Sequence, residues 1–207
     1  MKSSFRRLDL LGKERLSKHF QFRQFLYSEA AIALGLINEP DDPELALEAG
    51  RKLCENILEP LVDTFGPIIV RSGYRSSTVN AAANKNGMGC GPNAGNYAYH
   101  IWDRRNAEGH MGAAACIIVP AFNEGATKHQ TWEDFAWWLD ETFDHNGIEF
   151  FRRDFAFNIG WAEVGDPYIF TTRDGSRYIK GPNQKPLRKK GKAAPSFQTD
   201  NPQGDLI

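Results

Sequence analysis

Hydrophobic positions recur along this chain with two different spacings, and each change of spacing marks an element. Phe22, Phe25, Leu26 and Ala30 fall near helical spacing, which predicts a helix over residues 20–34 with Gly35 at its end. Asp42-Pro43-Glu44 opens a second helix, with Asp as the cap and Pro at the first helical position. Leu47, Leu53, Ile57 and Leu61 carry it over residues 43–65, until Gly66-Pro67 stops it. Cys54 lies inside that helix as a core residue, and Pro60 predicts a kink in its last turns. Ile68, Ile69 and Val70 make a short buried strand over residues 67–71, and a brief helix over 77–84 follows, capped by Ser76 or Ser77. Residues 113–119 form another apolar strand. Thr131 caps a helix over 131–143 that places Trp138, Leu139 and Phe143 on one side. Residues 148–164 hold one or two strands, and 168–179 form a hairpin turning at Asp174-Gly175. These elements predict an α+β fold: a small antiparallel sheet of four or five strands, with helices 20–34, 43–65 and 131–143 packed on one face.

Two stretches show no period. Residues 85–109 are rich in Gly, Asn and Tyr and read as a long loop, a length that in a compact domain marks function or insertion. From Gly181 onward, Lys185, Arg188, Lys189, Lys190 and Lys192 occur with no acid between them. The expected organisation is one domain over residues 1–180 and a basic, flexible tail over 181–207.

Composition narrows the function classes. Lys+Arg 25 against Asp+Glu 26 leaves a net charge of −1, so no overall field draws nucleic acid or an acidic membrane. No apolar run approaches the ~20 residues that span a bilayer. The basic start, Met1-Lys2-Ser3-Ser4-Phe5-Arg6-Arg7, lacks the apolar stretch of a signal peptide, which predicts synthesis in the cytoplasm. Three cysteines, at 54, 90 and 116, make no disulfide framework and fit a soluble protein of a reducing compartment.

Candidate chemistry gathers in two short segments. Arg71-Ser72-Gly73-Tyr74-Arg75-Ser76 follows the first strand, and His110-Met111-Gly112-Ala113-Ala114-Ala115-Cys116 leads into the next. Together they resemble the zinc D-Ala-D-Ala carboxypeptidases and related peptidoglycan peptidases of the hedgehog-type fold. There a Ser-Gly-Tyr-Arg-Ser turn precedes a His-x-x-Gly-x-Ala-x-Asp segment. The resemblance covers roughly residues 15–165, including the Leu16-Ser17-Lys18-His19-Phe20 opening and Leu58-Glu59-Pro60-Leu61 before Phe65-Gly66-Pro67. It implies a zinc site on a His, an Asp and a distal His, with a nearby acid as general base. Three protein ligands leave a fourth position where the metal lowers the pKa of bound water toward ~7. The resemblance puts His110 at the first ligand, Cys116 at the Asp, and Glu163 of Gly160-Trp161-Ala162-Glu163-Val164 at the distal His. Asn158 and Gly160 stand where the general base is sought. Arg75 corresponds to the arginine that grips a substrate's terminal carboxylate, with Ser72 beside it.

The residues therefore support two functions. The first is a catalytically degenerate member that works by binding a protein partner or a cell-wall peptide, without cofactor. Because the family is common in phage, the resemblance extends this to a structural or assembly component of a virion. The second is an active zinc peptidase of cell-wall peptides whose altered ligand set is His110, Cys116 and Glu163. A displaced metal group in the long loop, drawn from Cys90, His100, Asp103, Glu108 and His110, competes with a simpler expectation. In that simpler reading Tyr97, Tyr99 and Trp102 are exposed there as a contact surface. No nucleophile elbow, phosphate loop or dinucleotide fingerprint occurs.

Overall fold

The computed structural model describes residues 2–123, 131–152, 155–173, 175–182 and 184. The predicted turn residue Asp174 and the basic stretch over 185–207 lie outside the described residues. In chain order the helices are α1 (Lys2–Gly12), α2 (Arg23–Leu26), α3 (Glu29–Leu34), α4 (Pro43–Leu53), α5 (Glu59–Phe65), α6 (Ser77–Lys85), α7 (Pro120–Asn123) and α8 (Trp132–Thr142). The strands are β1 (Ile69–Ser72), β2 (Gly112–Ile118), β3 (Ile148–Phe150), β4 (Phe157–Ala162), β5 (Ile169–Thr171) and β6 (Arg177–Lys180). They form one sheet in the order β1-β2-β4-β3-β5-β6. The fold is α+β, as the hydrophobic spacing predicts. The sheet is larger than expected and mixed, because β3 and β5 run parallel while every other pair is antiparallel.

The helical expectations need two corrections. Residues 20–34 form two short helices, because Tyr27 and Ser28 are extended and the Ser28 hydroxyl accepts from Ala31 N–H to start α3 anew. Residues 43–65 are helical throughout, but a five-residue π turn over Cys54–Leu58 joins α4 to α5. Glu59 N–H there reaches back to the Cys54 carbonyl. The wider turn relaxes the backbone just where Pro60 has no N–H to give, so the kink is absorbed as a π segment. The caps Asp42, Ser76 and Thr131 all act as expected, each side-chain oxygen accepting a first-turn N–H. Helix α1 has no counterpart in the predicted elements; Arg7 ties it to Glu39.

The core lies on one face of the sheet. Ala113, Ala115 and Ile117 of β2, Phe157 and Ile159 of β4, and Ile148 and Phe150 of β3 point into it at strand period. Phe65, Phe122, Phe135, Trp138 and Phe143 pack there as mostly edge-on or stacked rings. Cys54 is fully buried among them, as expected. A second aromatic group, Phe22, Phe25, Tyr74 and Trp102, closes the core beneath the motif turn. Gly73 is required by that packing, since a Cβ there would sit 2.7 Å from the Phe25 ring. Helix α3 does not join this face; it stands on the opposite side, at the rim of a cleft.

Candidate functional site

The opposite face of the sheet carries a row of polar side chains. Ser72 of β1 pairs with Cys116 of β2, Cys116 with Asn158 of β4, and Asn158 with Glu149 of β3. Directly paired residues point to the same side, so four strands contribute one polar residue each to a common floor. Above it opens a cleft of about 640 Å³. A smaller lobe of about 270 Å³ continues past Ser72, Arg75, Cys90 and Cys116 toward Tyr27, Glu29 and Met88. Ser72 and Arg75, the residues expected to bind substrate, line both lobes.

The loop 85–109 builds one wall, and it is not the exposed contact surface expected. Trp102 is 0% exposed and donates from Nε1 to the Ala114 carbonyl at 3.1 Å. Ala114 N–H donates in turn to the Tyr99 carbonyl at 2.8 Å. The loop thus satisfies the β2 edge that β1, being short, leaves open. Burying an indole ring repays the ordering of a long loop, which hydrophobic periodicity alone does not reveal.

His100 occupies the middle of this wall. Its Nδ1 lies 3.1 Å from the Gly73 carbonyl, and burial together with the nearby Arg75 charge holds its pKa down to about 3. The ring is therefore neutral at physiological pH. A carbonyl accepts only, so Nδ1 carries the proton and Nε2 keeps a lone pair. Arg75 N–H donates to the His100 carbonyl at 2.8 Å, and the Arg75 guanidinium contacts the Cys90 sulfur. Arg75 thus anchors the loop and faces the cleft at once; burial lowers its pKa, yet it stays a cation. Burial pushes the Cys116 thiol up to about 11, which keeps it protonated at neutral pH.

The far end of the cleft is acidic. Glu149 accepts from Asn158 Nδ2 at 2.9 Å and from the Tyr168 hydroxyl at 2.7 Å, one donor on each oxygen. Burial and the Glu149 charge raise Tyr168, so this phenol stays protonated as the donor. Asp166 lines the same end. The Tyr99 hydroxyl is buried between these groups, beside Tyr168 and Asn158.

The three residues expected to share a metal are not brought together. Gly112 pairs with Ala162 at one end of β2, whereas Cys116 pairs with Asn158. Those two positions are about 13 Å apart at the usual strand rise. His110 and Glu163 both lie beyond the Gly112 end. Glu163 accepts from Met111 N–H at 2.8 Å and pairs with Arg105 at 3.3 Å. The loop group is equally dispersed: Asp103 turns into the core and accepts from Asp41 N–H at 2.7 Å, while His110 N–H binds Asn106. Among the described residues no group of three or more His, Cys, Asp or Glu side chains is placed to hold a metal ion. The cleft instead gathers His100 and Cys116 with Ser72, Arg75, Asn158 and Glu149. Glu149 had no motif to announce it; its signal is that it is the polar residue between Ile148 and Phe150 in a strand whose neighbours are core.

No family model matches the chain, and no solved structure matches it. An uncharacterised protein of Caenorhabditis elegans is 33% identical over 82 residues, a match that covers 34% of this chain. The match spans 10% of that relative's length.

Proposed function

We propose that this protein is a peptide-binding relative of the peptidoglycan peptidases that has lost hydrolysis, and that Arg75 receives the ligand's terminal carboxylate. One observation carries the reading: Arg75 is the only cationic side chain lining the larger lobe among the described residues, beside the polar floor of Ser72 and Cys116. A guanidinium offers five donors, and the Cys90 contact leaves room for a bidentate carboxylate. The lack of convergence among His110, Cys116 and Glu163 supports binding over zinc hydrolysis. At the position where the resemblance seeks the general base, Asn158 offers an amide, which takes no proton from water.

The test uses peptides ending in D-Ala-D-Ala and follows both affinity and the release of free alanine. The expected outcome is saturable binding without alanine release, weakened at least tenfold by Arg75→Gln. Alanine released in proportion to added protein, or an affinity indifferent to Arg75→Gln, overturns the reading. A role inside a larger assembly, such as a virion, is compatible with this binding activity but stands on the resemblance alone.

A further inference from the structure

We propose that the cleft is a molecular ruler for short unblocked peptides of three to four residues. They lie across the strands with the C-terminal carboxylate on Arg75 and the N-terminal ammonium on Glu149. This inference rests on the carboxylate-binding reading of Arg75 and adds the opposite end of the ligand.

Among the described residues lining the larger lobe, Arg75 is the one basic side chain besides the neutral His100, and Glu149 and Asp166 are the acidic ones. The cation lies at the β1 end and the acids at the β3 end. From Ser72 to Glu149 the paired row crosses three interstrand steps, or about 14 Å at ~4.8 Å each. An extended peptide advances ~3.3–3.6 Å per residue, so four residues match the row and three match it once Arg75 and Glu149 reach inward. A single amino acid is too short to touch both ends.

The acid end is built to receive a cation. Tyr168 and Asn158 each donate to one oxygen of Glu149, which fixes the carboxylate and leaves about half of its lone-pair sites open. Asn158 is 6% exposed, so this orientation is held from within the floor. At the Arg75 end, His100 lines the cleft and keeps Nε2 as an acceptor fit for a peptide N–H, and the Tyr99 hydroxyl lies at the acid end beside Tyr168 and Asn158. A volume of about 640 Å³ suits a ligand of this size.

Calorimetry of the full chain at pH 7 with unblocked tetra-alanine, its N-acetyl form, its C-terminal amide and dialanine tests this directly. Either block, or shortening to dialanine, is expected to weaken binding at least tenfold. Glu149→Gln is expected to abolish the penalty of acetylation and keep that of amidation; Arg75→Gln does the reverse. Thermal melts check that both variants stay folded, and the wild-type series decides even if one does not. N-acetyl tetra-alanine binding as well as the unblocked peptide overturns the ruler while leaving the Arg75 reading intact. So does an acetylation penalty that survives Glu149→Gln. Equal binding of the amide overturns both; no binding of tetra-alanine at all overturns the ruler and leaves Arg75 to the D-Ala-D-Ala peptides.

Discussion

At the scale of single residues, His100 shows how burial writes chemistry that spacing cannot. Its pKa near 3 is far below the ~6.5 of an unfolded chain. Between those values the unfolded chain binds a proton that the folded chain refuses. Stability is therefore full above about pH 6.5 and falls as pH drops, by up to ~1.4 kcal/mol per pH unit. His100→Gln removes that slope, so urea midpoints measured at pH 7, 6 and 5 should converge between variant and wild type as pH falls. Parallel curves would show that His100 is free to protonate. Nothing local in the sequence sets this value, because the Gly73 carbonyl and Arg75 arrive from a distant turn. Ser72, Arg75 and Cys116 line the cleft, and the sequence singled them out only through the motif resemblance, since Gly112–Ile118 shows no alternation that would mark a face. His110 and Glu163 were misplaced because motif spacing says nothing about which end of a strand a residue occupies.

Among elements, the unusual feature is a loop acting as a partial strand along β2. Its closeness explains Gly112, whose missing Cβ would lie 2.8 Å from the Trp161 carbonyl and closer still to that of Ala98. Both are backbone atoms and cannot swing aside. Gly112→Ala should cost about 2–3 kcal/mol and free the loop, seen as lost hydrogen-exchange protection at Ala114, whose N–H binds Tyr99. Protection unchanged at Ala114 would refute the coupling. A second link joins α8 to β6: Asp140 accepts from His145 at 2.9 Å and from Lys180 at 2.7 Å. Burial alone would raise Asp140, but those two hydrogen bonds and the Lys180 charge hold it below the ordinary carboxylate range. Its contribution is present above about pH 4 and lost as pH falls through the lowered value. Asp140→Asn should therefore lower the melting temperature at pH 7 and cost little at pH 2; an equal loss at both would assign the effect to packing. Helix and strand periods made most elements readable. The π turn was announced only as a kink, and the split at Tyr27 not at all, because both are settled by what the chain packs against.

For the whole molecule, the sheet order decides which residues can cooperate. Placing β4 between β2 and β3 aligns Cys116, Asn158 and Glu149, and no local pattern fixes that order. The same topology sends residue 163 to the far end of β4, so two redesigns of the site should behave differently. Cys116→Asp with Asn158→His puts both new ligands on paired positions, roughly 5 Å apart at the backbone, in the cleft that His100 lines. Cys116→Asp with Glu163→His separates them along the strand by more than a metal can bridge, since zinc–ligand bonds are about 2 Å. Elemental mass spectrometry on protein purified without chelator should then find no stoichiometric zinc in the wild type or in the Glu163→His pair. It should find about one zinc per chain in the Asn158→His pair, lost on His100→Ala. Zinc in the Glu163→His pair alone would mean that the distal ligand had been placed correctly by the motif, and that β4 runs past β2 in a different register from the one described.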